Sequence, residues 1–236
     1  MQFKIEPLGL EGVDAVLHVL WRAFEPPEAD MVLPMIYPGG LQPDVIESLR
    51  GDVLAQHDVG GSSYGFCARE ANTGEIAAIS HWTVNADSPS DDEAIRKAYD
   101  AAVDARSKRL VPKSRNTALE EAIFKAAFHT KLGTMAGRSY IDLGLLATDP
   151  GLLATDPKYQ GKGAGKALLA QGLTEVVDKL GLPYYVLSSR SAKALYKQAG
   201  FELRHVFAFD CSEYGGRSEG RHWVIFHPRK GVSHNY

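Results

Sequence analysis

Lys158-Tyr159-Gln160-Gly161-Lys162-Gly163-Ala164-Gly165-Lys166 follows an apolar, strand-like run that ends in Asp156-Pro157. It leads directly into Ala167-Leu168-Leu169-Ala170, the first turns of an amphipathic helix. Glycines at alternate positions, Gly161, Gly163 and Gly165, remove the Cβ atoms that would hold a ligand off the backbone, so successive N–H groups can converge on an anion. The helix N-terminus adds partial positive charge at the same point. The stretch is expected to bind phosphate, and spacing decides among the phosphate loops that compete for it. A nucleotide P-loop reads G-x-x-x-x-G-K-[ST], whereas Gly161 and Gly165-Lys166 enclose only three residues and Ala167 supplies no hydroxyl for magnesium. A dinucleotide fingerprint reads G-x-G-x-x-G with an acidic residue on a following strand; here the glycines read G-x-G-x-G, and the next strand offers Tyr184-Tyr185-Val186-Leu187.

The pattern that does fit, [QR]-x-x-G-x-[GA] over Gln160 to Gly165, resembles the pyrophosphate loop of the GNAT family of N-acetyltransferases, which bind acetyl-CoA. One helix and one strand later, Ser191-Ala192-Lys193-Ala194-Leu195-Tyr196-Lys197-Gln198-Ala199-Gly200-Phe201 resembles the family's segment N-x-x-A-x-x-[LF]-Y-x-x-x-G-F, with Ser191 where asparagine is common. The resemblance implies an α/β (α+β) fold with a central mixed, mostly antiparallel twisted sheet flanked by helices. It implies acetyl-CoA as cosubstrate, held by the backbone of Gly161, Gly163, Ala164 and Gly165, with Gln160, Lys162, Lys166 and Ser191 as further contacts. The preceding strand, with Leu153 and Thr155, splays from its neighbour in this family and leaves backbone groups for pantetheine. Tyr196 matches the usual general acid, close enough to the sulfur to count as a cofactor contact too. For the base, His81 and Asp142 on cleft-facing strands stand beside a relay through water, and no metal ligand set is predicted.

With 236 residues, 44% of them hydrophobic, the chain can build one substantial core, and no linker divides it. We expect a single domain over 1–236. A net charge of −3 from 26 basic and 29 acidic residues gives no general attraction to nucleic acid or anionic membranes. Cys67 and Cys211 have no metal-ligand spacing and make no disulfide scaffold; Cys67 reads as core. Met1-Gln2-Phe3-Lys4-Ile5 is no cationic leader, and no apolar run approaches the ~20 residues of a membrane span, so a soluble cytoplasmic protein is expected.

Along the chain, Phe3 and Ile5 mark a first strand, and Val13, Val16, Leu17, Leu20, Trp21 and Phe24 a helix stopped by Pro26-Pro27. A loop-like segment to Pro43 precedes a second helix with Val45, Ile46, Leu49, Val53 and Leu54 on one side. Strands over Tyr64 to Glu70 and Glu75 to Val84 are joined by Asn72-Thr73-Gly74. Residues 85–137 are too long for a strand connection; Ser90 with Glu93 and Thr117 with Glu120 read as capping boxes of a helical hairpin insertion. The basic run between its helices, Arg106 to Arg115, reads as a solvated connector. After the phosphate loop come a helix ending at Gly181, a buried strand over Tyr184 to Ser188, the motif helix, and two last strands whose His205, His222 and His227 read as structural.

Residues 144–150 and 151–157 both read Gly-Leu-Leu-Ala-Thr-Asp-Pro, a tandem duplication too short to signal a repeat architecture. A slide by an odd number of residues turns every upstream side chain to the other sheet face. The second copy is therefore expected to end the central strand while the first bulges out or extends it irregularly.

Two enzymatic expectations follow: acetyl transfer from acetyl-CoA to a primary amine of a small molecule, or to a lysine or N-terminus of a protein. A catalytically silent acyl-CoA-binding module is the third. A homodimer is compatible with each.

Overall fold

The computed structural model describes residues 1–24, 32–57, 62–143, 152–189, 191–214 and 220–227. In chain order the elements are β1 (Phe3–Pro7), α1 (Val13–Phe24), α2 (Val32–Ile36), α3 (Pro43–His57), β2 (Ser63–Glu70), β3 (Ile76–Asn85), α4 (Asp92–Ser107), α5 (Thr117–Met135), β4 (Tyr140–Asp142), β5 (Leu152–Thr155), α6 (Ala164–Gly172), β6 (Tyr184–Ser188), α7 (Lys193–Gln198), β7 (Glu202–Phe209) and β8 (Gly220–His227). The sheet runs β1-β2-β3-β4-β6-β8-β7, with β5 also paired to β3. Every neighbouring pair is antiparallel except β4 with β6, so the sheet is mixed and mostly antiparallel, as expected. Among the described residues no helix is long and apolar enough to cross a membrane.

Helices cover both faces. On one, Leu17, Leu20 and Trp21 of α1, Leu33 and Ile36 of α2, Val45 and Leu49 of α3 and Leu119 and Ile123 of α5 bury against Tyr140, Tyr185 and Leu187. On the other, Leu168 and Leu169 of α6 and Tyr196 of α7 pack on Ala78, Trp82, Ile141 and Val186. The insertion is a helical hairpin, but its caps lie one residue from the expected places. Asp91 caps α4 by accepting from the Ala94 amide at 2.8 Å, and Asn116 caps α5 by accepting from Leu119 at 3.1 Å. Glu120 is thereby released from a capping box. It accepts from Arg115 and, at 2.7 Å, from Arg106, inside the protein. The basic connector is thus not simply solvated: Arg109 reaches Asp52 at 3.2 Å, and Arg106 lies over the Phe124 ring at 4.2 Å. On the edge strand β7, Leu203 and Val206 are exposed.

The duplicated segment meets β3 in a way that odd-number sliding does not anticipate. Asp142 stands opposite Thr83 and Leu152 opposite His81, so β3 offers one residue, Trp82, where the partner chain has nine, 143–151. Eight are in excess. One copy accounts for seven and a single residue restores the even count, which keeps the strand in phase: Asp142 and Ala154 share the face of Thr83 and Ile79, while Leu153 and Thr155 share that of Ser80 and Ala78. The second copy does end the central strand; the first lies outside the described residues.

Trp82, wholly buried, sits under Gly172 at the point where α6 continues as a π-helical turn, Leu173–Asp178. A Cβ at Gly172 would fall 1.9 Å from Trp82 Cζ2. The indole cannot retreat freely, because Tyr184 lies edge-on at 5.5 Å and Nε1 donates to Ser80 Oγ at 3.1 Å. Gly172→Ala is expected to cost about 2–3 kcal/mol by overpacking, lowering the melting midpoint by roughly 4–10 °C; an unchanged melt would show that the indole has room.

Candidate active site

The parallel pair of β4 and β6 sets the geometry of the site. It runs through Ile141–Tyr184 and Asp142–Tyr185, and the Leu143 amide still donates to the Tyr185 carbonyl at 3.0 Å. Beyond that point β6 bonds to β8 and β5 to β3, and among the described residues no ladder joins β5 to β6. The strands splay. In the wedge lies a cleft of about 570 Å³, walled by Leu153, Ala154 and Thr155 on one side and by Ser189, Ser191, Ala192, Leu195 and Gln198 on the other. The glycine stretch closes one end, and Ala23 and Phe24 of α1 also line it.

The glycine stretch is anchored from behind. Asp156 accepts from the Lys158 amide at 2.9 Å and pairs with Arg22 at 2.8 Å. Tyr159 is buried, edge-on to Phe3 at 6.1 Å, and its hydroxyl donates to Glu75 Oε2 at 2.5 Å. Lys158 Nζ reaches the same oxygen at 2.7 Å. Lys158 and then Tyr159 hold the Glu75 carboxyl below the usual carboxylate range, and Glu75 in turn raises the Lys158 ammonium. A lowered carboxyl contributes above the ordinary carboxylate range and is lost as pH falls through the lowered value. At neutral pH the anchor is therefore fully formed.

In front, the backbone is bare. Gly161 (φ +70°) and Gly163 (φ +96°) adopt a conformation that other residues rarely enter, yet a Cβ at either would meet nothing within 4 Å. The backbone demands glycine while the space in front stays open to a ligand. Gly165 differs: its Cβ would meet Thr155 Oγ1 at 3.1 Å, so it lets the helix approach β5. The first bond of α6 runs from Ala167 N to Gly163 O at 3.0 Å, which leaves the preceding first-turn amides without intrahelical acceptors. With Lys166 on the lining, these donors suit a pyrophosphate.

The structure brings together Leu153, Thr155, Gln160, Gly161, Gly163, Ala164, Gly165, Lys166 and Ser191 on one cleft. It does not bring Lys162 there; that ammonium turns back to the Lys158 carbonyl at 2.6 Å. Tyr196 is not among the lining residues either. It is 3% exposed, its ring 5.1 Å from that of Phe201, and burial raises its phenol well above the ordinary value. His81 and Asp142 share one sheet face and are both buried; His81 Nε2 lies 2.6 Å from Ser63 Oγ, and Asp142 accepts from Lys131 at 3.1 Å. Neither lines the cleft. Sequence reasoning missed Ser189, whose Oγ lies 3.0 Å from Ser191 Oγ and accepts from the Ala192 amide at 3.3 Å. The signal was there in Ser188-Ser189, a polar pair ending an apolar strand.

Residues 120–203, which hold the splayed strands, the glycine stretch and α7, match the family model described as "Acetyltransferase (GNAT) domain". That stretch is similar to a GNAT domain. Solved structures agree at the level of fold. Arylalkylamine N-acetyltransferase 2 from Aedes aegypti superposes with a TM-score of 0.62 at 15% identity, covering 98% of this chain and 100% of that one. Drosophila melanogaster polyamine N-acetyltransferase gives 0.55 at 15% identity over 95% and 97%. The ribosomal-protein-S18-alanine N-acetyltransferase of Escherichia coli gives 0.53 at 15% identity over 100% and 99%. A search of curated protein sequences returns no match. The helical hairpin of α4 and α5 enters between β3 and β4, so the region matching the GNAT model begins inside α5.

Proposed function

We propose that the protein is an acetyl-CoA-dependent N-acetyltransferase that acetylates a primary amine of a small molecule. The observation that carries this reading is the wedge between β5 and β6 opening onto a bare glycine backbone. A pyrophosphate at Gly161–Gly165 would place the rest of a CoA chain along Leu153 to Thr155, where β5 presents backbone groups that no strand among the described residues claims on the β6 side. The thioester then lies toward the apex, facing α1. There the acyl carbon exchanges its bond to sulfur for one to the amine nitrogen, the sulfur takes up a proton and the nitrogen gives one up. Positioning supplies most of the acceleration.

Tyr196 is the proposed donor to sulfur. Burial raises its phenol, which therefore carries its proton at neutral pH but is a reluctant donor. Because the ring does not line the cleft, donation to sulfur requires α7 to shift or a water to relay the proton. His81 is the proposed acceptor, opposite Leu152 and so beside the cleft strand. A small acceptor is favoured because α5 shares one core with α1, α2 and α3, closing that side of the sheet with helices. The mosquito and fly structures, named for arylalkylamine and polyamine substrates, indicate which amines to try first.

The test is CoA release with a panel of such amines. Tyr196→Phe keeps the ring that packs on Phe201 and removes only the hydroxyl. It is expected to lower kcat by about tenfold to a hundredfold or more while leaving acetyl-CoA binding unchanged; undiminished turnover would remove the donor role.

A further inference from the structure

We propose that Ser63 is a positioning residue for the reaction, holding the His81 imidazole with Nε2–H bonded to its hydroxyl oxygen and Nδ1 left to take the proton of the acceptor amine, a role that rests on the reading of His81 given above. The place of Ser63 follows from register. On β3, His81 stands opposite Gly65 of β2 on one side and Leu152 of β5 on the other, and Thr83, two residues on, stands opposite Ser63. His81 and Ser63 are therefore diagonal neighbours on one sheet face, a spacing that a ring can cross. Gly65, directly opposite, has no side chain to hold the ring off β2. Nε2 and Ser63 Oγ close to 2.6 Å, and His81 is the hydroxyl's one partner among the described residues.

A hydroxyl is matched to both states of the ring. In the neutral imidazole one nitrogen carries hydrogen, and a serine oxygen either accepts it from Nε2 or donates to a bare Nε2. The tautomer that can act through Nδ1 is the first. When Nδ1 takes the amine's proton, both nitrogens carry hydrogen and Ser63 can only accept. That bond is then charge-assisted, about twice as strong as its neutral counterpart. Ser63 thereby stabilises the protonated ring at a position only 6% exposed. In the step itself the amine nitrogen gives up its proton as it bonds to the acyl carbon, Nδ1 gains that proton, and the Nε2 hydrogen stays on Oγ.

The charged and titratable groups around this face are largely matched already. β4 brings Asp142, diagonal to His81, which accepts from Lys131 of α5 at 3.1 Å; β6 brings Tyr185 beside Asp142, and β2 brings Cys67. α3 carries Asp52, paired with Arg109 at 3.2 Å. α1 turns Val16, Val19 and Ala23 to the sheet, while its Asp14 and His18 are exposed and its Arg22 pairs with Asp156. The nearest carboxylate is met by an ammonium, so the Ser63 hydroxyl is the group whose loss the ring should feel.

Ser63→Ala tests this with two readouts. Nitrogen NMR of the imidazole, assigned by the signals that His81→Gln removes, is expected to show hydrogen on Nε2 in the parent and mixed tautomers in Ser63→Ala, with the titration midpoint of the ring lower by roughly one pH unit. The acid limb of kcat/KM for the amine, which rises as His81 loses its proton, should move to lower pH by the same amount, and the plateau kcat should fall about tenfold or more. Acetyl-CoA affinity and the melting midpoint should stay at the parent values. Ser63→Thr, which keeps the hydroxyl, should restore tautomer, limb and kcat. A parent-like tautomer and titration in Ser63→Ala overturns the proposal. So does a changed ring with an unmoved acid limb, which would leave Ser63 the structural partner of a histidine outside the chemistry. If the parent turns over no amine, the proposed function falls on that result alone, and the NMR comparison still decides whether Ser63 holds the ring.

Discussion

Glu120→Gln is expected to destabilise the protein by about 3–5 kcal/mol, the range for removing one partner of a buried ion pair, and to lower the melting midpoint by roughly 6–20 °C. Glu120 Oε1 accepts from both Arg106 and Arg115, and the three side chains are 4%, 12% and 7% exposed. The two guanidinium groups already have little to spare: among the described residues Arg106 Nη1 and Arg115 Nε have no hydrogen-bond partner. Burial also pushes the neighbouring Tyr37 phenol up to about 12, with Arg115 pulling the other way. An amide of the same shape would leave two cations facing one another in the core, with Asp52 committed to Arg109. The insertion should loosen first, since among the described residues α4 reaches this cluster through Arg106 and meets α5 through Tyr99 against Phe124 and Phe128. A melt indistinguishable from the parent would mean that solvent, not Glu120, carries these charges.

Gly163→Val should act on binding rather than on the fold. At φ +96° a β-branched residue is strained, at a cost on the order of 1–3 kcal/mol, and the chain can relieve it by turning the amides of the glycine stretch away from the cleft. Each lost hydrogen bond to a charged phosphate is worth about 1.5–3 kcal/mol, so losing two of them weakens acetyl-CoA by about a hundredfold or more. Lys166 and the helix terminus remain, but neither restores donors aimed at two phosphates. The check is a calorimetric titration beside a thermal melt, because the two readouts separate a spoiled cradle from an unfolded protein. Parent-like affinity would show that the glycine backbone does not hold the pyrophosphate.

The parts of this fold that were legible in the sequence are those whose physics is local. The glycine stretch, the helix it opens and the Ser191–Phe201 segment were read correctly in type and order because turn chemistry and periodicity act over a few residues. The helical hairpin was legible for the same reason, although its caps moved by one residue, forward to Asp91 and back to Asn116, whose carboxylate and amide oxygens accept from the amides three residues on. What the sequence hid depends on distant partners. Trp82 under Gly172 joins residues 90 apart in the chain, and nothing local marks that glycine as a packing site. The fate of the basic connector turned on Glu120, which local reading had assigned to a cap. Of the candidate site residues, the cleft lining gathers most of the glycine stretch but not Tyr196, His81 or Asp142, because side-chain direction at one position follows from packing and not from motif spacing.

The most direct test of the account is titration of the purified full chain with acetyl-CoA by calorimetry, with CoA and ATP as comparisons. The account predicts that both CoA species bind, since the splayed strands hold the chain beyond the pyrophosphate, and that ATP, lacking that chain, binds weakly. Absence of acetyl-CoA binding, or a preference for ATP, would contradict it.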